Sequence, residues 1–149
     1  MTIKADDFAP IGEQASNLIK MQIKSAPFSK LVGLSYDEIR CDYACMRLRY
    51  KPELNQPAGV IHGGAIASLI DTSVVAAVFS GAPTMPKSLL TIDMHIHYLD
   101  VGVEEDLLAY AAVRRRGHKV VFLQSEVVGA DSGKAIAHGE LSYMLKYAK

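Results

Sequence analysis

From Ala65 to Phe79 almost every residue is apolar, and this run opens on the stretch GVIHGGAIASLIDTS, residues 59–73. A helix that is apolar nearly all round must be covered on most of its surface. The chain therefore needs a layer able to wrap one central helix. The polar residues carried by that helix are Ser68, Asp71, Thr72 and Ser73. Serine and threonine hydroxyls can return a hydrogen bond to a carbonyl one turn back, whereas a carboxylate only accepts. Asp71 must then be paired, protonated or functional. A buried carboxylate suits a general base or a nucleophile; the competing reading is an aspartate that accepts from an Arg or Ser at a subunit interface.

The downstream half supplies the wrapping layer. Leu89 to Leu99, Glu105 to Arg115, Lys119 to Ala130 and Lys134 to Lys146 are strand-like runs, separated by turn signals at Val101-Gly102, Arg116-Gly117 and Asp131-Ser132-Gly133. Upstream, Gly33 to Tyr50 alternates partially and reads as a hairpin of two strands, followed by a loop marked by Pro52, Asn55, Pro57 and Gly59. An antiparallel sheet curled around one long helix, an α+β fold, is the expectation. Apolar residues at helical spacing between Asp7 and Lys24 predict an amphipathic surface helix, so residues 1–32 read as a helical extension of a single domain spanning 1–149. A short curved sheet cannot cover the central helix completely. Its remaining side is expected to meet another subunit.

Sixteen Lys plus Arg balance sixteen Asp plus Glu. Nothing in that balance favours nucleic acid or an anionic membrane as the main partner. No unbroken apolar run approaches the roughly 18 residues of a membrane span, and MTIKADDFAP is acidic where a signal peptide would be basic and then apolar. A soluble, cytoplasmic protein is expected. Cys41 and Cys45, if on one strand, would lie about 13 Å apart, too far for a disulfide. Neither they nor His95 and His97 have further ligands at matching spacing, so no metal and no cofactor is expected.

His62-Gly63-Gly64 falls where the helix begins. Glycines there leave backbone N–H groups uncovered at the positive end of the helix dipole, an arrangement that can hold a developing oxyanion. The alternative is that the glycines only permit a tight turn and that His62 is structural. Arg114, Arg115 and Arg116, followed by Gly117, form the densest basic run, read either as a solvated turn or as a phosphate site. Strict alternation would send Arg114 and Arg116 to one sheet face and Arg115 to the other.

The pattern Asn55…Gly59-Val60-Ile61-His62-Gly63-Gly64…Asp71, followed by LTIDMHIHYL at 90–99, resembles the hotdog-fold acyl-CoA thioesterases of the phenylacetate-degradation (PaaI-like) type. The resemblance runs from about Gly33 to Tyr143. It implies hydrolysis of an acyl-CoA thioester to free acid and coenzyme A. By the same resemblance the Gly64 N–H, with that of Gly63, would polarise the thioester carbonyl. Asp71 of the opposite subunit would activate water or attack directly. Asn55 and His62 would orient the reacting groups, and Thr91 stands where some relatives position the water with a serine. Arg114, Arg116 and Gly117 become the candidates for binding coenzyme A. The implied assembly is a homodimer or a homotetramer. Between Asn55 and His62 the loop is one residue longer than in those relatives. Alternation groups Thr91 with Asp93, His95 and His97, so Thr91 reaches the site only through a bulge or a partner subunit. Two other readings share the pocket: a non-catalytic acyl-CoA binding or sensing module, and a hotdog enoyl-thioester hydratase or dehydratase.

Overall fold

The computed structural model describes residues 3–148. Its strands are β1 (Leu34–Arg40), β2 (Tyr43–Leu48), β3 (Ser88–Tyr98), β4 (Leu107–Arg116), β5 (Val120–Gly129) and β6 (Ala135–Lys146). They form one antiparallel sheet in the order β1-β2-β4-β5-β6-β3. The apolar run is the helix α3 (Gly63–Ser80), which follows β2 and packs against every strand of the sheet. Its 18 residues, at mean hydropathy 1.6, would suffice by length and composition to cross a membrane. Here the sheet covers one side of the helix: Ile66, Leu69, Ile70 and Val74 are buried, each worth roughly 1.5–3 kcal/mol relative to exposure.

Small residues bring helix and sheet together. At Gly139 of β6 an added Cβ would lie 2.6 Å from Ile70 Cγ2. The polar helix residue Ser73 is satisfied within this core, donating to the Ile70 carbonyl (2.8 Å) and meeting Ser125 Oγ of β5 (3.0 Å). Tyr36 of β1 reaches the same helix, its hydroxyl 2.7 Å from the Thr72 carbonyl and accepting from the Ala76 N–H.

The N-terminal region departs from expectation in detail. The amphipathic helix α1 begins at Glu13, not Asp7, and runs to Ser25. A second helix, α2 (Pro27–Val32), follows it; Pro27 starts it and Gly33, at φ 90°, ends it in the left-handed region that glycine tolerates. Ile19 of α1 enters the core, while Leu18, Met21, Phe28 and Leu31 stay exposed. Residues 3–10 cross the outer face of β2, where Ile3 and Phe8 cover Tyr43 and Cys45. Burial there pushes the Cys45 thiol up to about 12. Cys41 lies in the turn after β1 rather than on a strand with Cys45, and both thiols are free.

Of the four register shifts among the described strands, two bear on the candidate site. One lies between Thr91 and Asp93 in β3, the other between Val113 and Arg115 in β4. Each inserts a residue, so side chains beyond it change face.

Candidate active site

The site is built where α3 starts and where its ninth residue, Asp71, meets the sheet edge. His62 caps the helix: its Nδ1 accepts from the Gly64 N–H at 2.8 Å, satisfying one donor of the first turn. The amide expected to face a substrate oxygen is thus engaged in the single chain. Among the described residues none accepts from the Gly63 N–H. Tyr98 lies against this turn, donating its hydroxyl to the Gly63 carbonyl at 3.1 Å, with its ring 3.4 Å from where a Cβ on Gly63 would sit. Alternation alone gives Tyr98 a packing role; the structure gives its hydroxyl a partner in the HGG turn.

The preceding loop is anchored on both sides. The His62 N–H donates to the Leu54 carbonyl (2.8 Å) and the Ile61 N–H to the Gly102 carbonyl (2.9 Å). Asn55 bridges to Ile61, which brings it beside the cap. Its amide nitrogen donates to Tyr50 Oη at 3.1 Å, and its buried Oδ1 has no partner among the described residues.

Asp71 stands two turns along α3. It is half-buried in the single chain rather than fully buried. Thr91 Oγ1 donates to Asp71 Oδ1 at 2.9 Å, and Tyr143 Oη lies 2.6 Å from the same oxygen and 2.7 Å from the Asp71 carbonyl. Thr91 and Tyr143 are direct partners across β3 and β6, so both point at the helix. The bulge at Ile92 explains this. Beyond it Asp93, His95 and His97 pair with Ser142, Glu140 and His138, on the face away from α3, separating Thr91 from the residues that alternation groups with it. His95 and His97 stack edge-on there, with ring centroids 4.5 Å apart. Tyr143 is buried, which pushes its phenol far above the ordinary range, and the hydrogen bond to Asp71 adds to that. Sequence reading missed Tyr143. The available signal was a tyrosine at an inward strand position, whose hydroxyl needs a partner once buried.

The basic run divides differently from alternation. Because β4 bulges at Arg114, Arg115 pairs with exposed Phe122 while Arg116 pairs with buried Val121. Arg116 turns inward, ion-paired to Asp42 and donating to the Val78 carbonyl at 3.0 Å, at the opposite end of α3 from His62. Arg114 stays exposed on the other face, its Nε donating to Gln124 Oε1 at 2.6 Å. Arg114 and Arg116 therefore do not share a face. Gly117 shapes the hairpin turn: its N–H donates to the Val120 carbonyl, and a Cβ there would sit 2.8 Å from that oxygen. Among the described residues no group of three or more His, Cys, Asp or Glu could hold a metal ion.

A groove of about 700 Å³ lies between α1, α2 and β1, within the range of ligand sites. Met21, Ile23, Leu34 and Tyr36 line it, with Lys20, Lys24 and Lys30 at its rim.

The family model of the thioesterase superfamily matches residues 58–136, from the loop before the HGG turn to the start of β6. The chain belongs to the thioesterase superfamily. As a member with the hotdog fold, it is 26% identical over 148 residues to the medium/long-chain acyl-CoA thioesterase YigI of Escherichia coli K12, covering 89% of this chain and 95% of that protein. It is 25% identical over 127 residues to human acyl-coenzyme A thioesterase 13, covering 82% and 87%. The E. coli PaaI structure, from the phenylacetic acid degradation operon, superposes with a TM-score of 0.77 at 20% identity, covering 89% of this thioesterase-superfamily chain and 91% of PaaI.

Proposed function

We propose that this chain hydrolyses acyl-CoA thioesters to free acid and coenzyme A, as a homo-oligomer. The observation that carries the reading is a carboxylate, Asp71, presented by two hydroxyl donors on the helix that opens with HGG. Relatives named acyl-CoA thioesterases over most of both chains support it. In the proposed reaction Asp71 takes a proton from water, whose oxygen attacks the thioester carbonyl carbon. First-turn amides of α3 hold the developing oxyanion, and collapse expels the coenzyme A thiolate, a good leaving group.

Helix geometry argues for two subunits. Gly64 and Asp71 are seven residues apart, about 10 Å along the axis, so one chain cannot hold both against the same carbonyl. A two-fold pairing that runs α3 past its copy would set the amides of one subunit against Asp71 of the other. The outer edge of β3, with Leu90, Ile92 and Met94 exposed, is a surface such a pairing would cover. In this assembly Gly63 offers the free first-turn amide, and Gly64 joins it when the His62 ring turns aside. His62 and Asn55, adjacent at the helix entrance, orient the carbonyl, and Thr91 orients the carboxylate.

Of the basic run, exposed Arg114 is the residue open to a coenzyme A phosphate. The groove beside Met21 and Tyr36 is the proposed seat of the acyl chain, since Tyr36 caps the carbonyl of Thr72, next to Asp71. The free thiols Cys41 and Cys45 suit a reducing compartment such as the cytoplasm. The test is release of free thiol from phenylacetyl-, benzoyl-, hexanoyl- and dodecanoyl-CoA, with the protein's own cysteines subtracted. Hydrolysis of at least one class by the wild type, absent in Asp71→Ala, is expected. Binding of acyl-CoA without turnover would indicate a sensing module instead, and an enoyl or hydroxyacyl product without free thiol a hydratase.

A further inference from the structure

We infer that Tyr143 is a positioning residue for Asp71: with Thr91 it fixes one carboxylate oxygen, Oδ1, and so assigns the reaction to the other, Oδ2. This rests on the hydrolytic reading above. The geometry is specific. Two hydroxyls from different strands converge on Oδ1, at 2.6 Å and 2.9 Å, while no described residue donates to Oδ2. A carboxylate held through one oxygen loses its freedom to rotate, and the remaining oxygen is left with an unshared lone pair for a water proton. Tyr143 also sits within reach of the Asp71 carbonyl at 2.7 Å, so the same phenol ties side chain and backbone of that helical turn together.

The surroundings isolate the pair. Around the Asp71 carboxylate β6 supplies the phenol of Tyr143, β3 supplies the unionisable hydroxyl of Thr91, and behind them β1 supplies the phenol of Tyr36. No ion pair among the described residues includes Asp71. Within one chain, then, the Asp71 carboxyl meets two neutral hydroxyls and no counter-charge, so a change in either hydroxyl is felt directly. A hydrogen bond donated to a carboxylate favours its ionised form in general.

The bland alternative is that Tyr143 fills the core and its hydroxyl simply found a partner. The two differ in what Tyr143→Phe does to kinetics, since phenylalanine keeps the ring and loses the donor. The positioning role predicts a kcat lower by about tenfold to a hundredfold with KM changed less than twofold. It also predicts an acid limb of the pH–rate profile displaced to higher pH. A packing role leaves kcat per folded molecule and the acid limb unchanged and shows only in Tm. Introducing a ring-fluorinated tyrosine at 143, a stronger donor of nearly the same size, is expected to displace the acid limb to lower pH. That variant keeps the question open to measurement if the phenylalanine variant unfolds. An acid limb unmoved by the fluorinated side chain overturns the inference while leaving hydrolysis by the wild type intact. A wild type that hydrolyses no acyl-CoA overturns the hydrolytic reading and this inference with it.

Discussion

Thr91 and Asp71, on an edge strand and on the central helix, meet at 2.9 Å because β3 carries one extra residue at Ile92. Without that bulge Thr91 would face away from α3. The hydrogen bond joins a neutral donor to a carboxylate, worth about 1.5–3 kcal/mol, so Thr91→Val is expected to lower kcat roughly tenfold to a hundredfold. Thr91→Ser, which keeps the hydroxyl, should restore most of it. Steady-state kinetics of the two variants on one acyl-CoA check this; a loss confined to the serine variant, with valine active, would mean that the methyl, not the hydroxyl, matters.

Gly139 is where α3 comes nearest to the sheet. Gly139→Ala sets a methyl 2.6 Å from Ile70 Cγ2, a β-branched side chain fixed in the core. Overpacking of this kind costs about 1–3 kcal/mol. A Tm lowered by several degrees is expected in thermal unfolding. The double variant Gly139→Ala, Ile70→Val, which still carries the offending methyl, should recover little of it.

The ends of the fold titrate as well. Glu105 accepts from the Ser132 N–H, the Ser132 hydroxyl and the Asp131 N–H, which hold its carboxyl below the ordinary 4.5. A lowered folded value contributes stability above the unfolded value and loses it as pH falls through the folded one. Glu105→Gln is therefore expected to lower Tm at pH 7. The gap to wild type should close as pH drops below 4.5. Tm measured across that range checks the sign; a gap that widens on acidification would contradict it.

Much of this was legible in the sequence. The apolar run from Ala65 to Phe79 announced a wrapped helix, and four alternating stretches after it gave the sheet within a residue or two at most ends. The HGG turn and Asp71 were legible because polar groups on an apolar helix demand a reason. The bulges were not. A one-residue register shift leaves no mark in composition, yet it turns Thr91 toward Asp71 and separates Arg116 from Arg114. Tyr143 was equally hidden, since its partner lies 72 residues away and only the folded sheet brings them together.

Arg116 and Arg114 should separate by experiment. Arg116 ties the β1–β2 turn to the last turn of α3 through Asp42 and the Val78 carbonyl, so Arg116→Gln is expected to lower Tm with KM for acyl-CoA little changed. Arg114→Gln is expected to leave Tm unchanged and to raise KM several-fold, through loss of a phosphate contact. Thermal unfolding and steady-state kinetics on the two variants assign the roles.

The most direct measurement is kcat/KM of Asp71→Asn against wild type on the acyl-CoA that the wild type turns over best, with Tm recorded for both. Asparagine keeps the size and the acceptor oxygen for Thr91 and Tyr143 but cannot take a proton. A fall of about a hundredfold to ten-thousandfold at matched Tm is the expected result. Activity within twofold of wild type would contradict the assignment of Asp71 as the catalytic carboxylate.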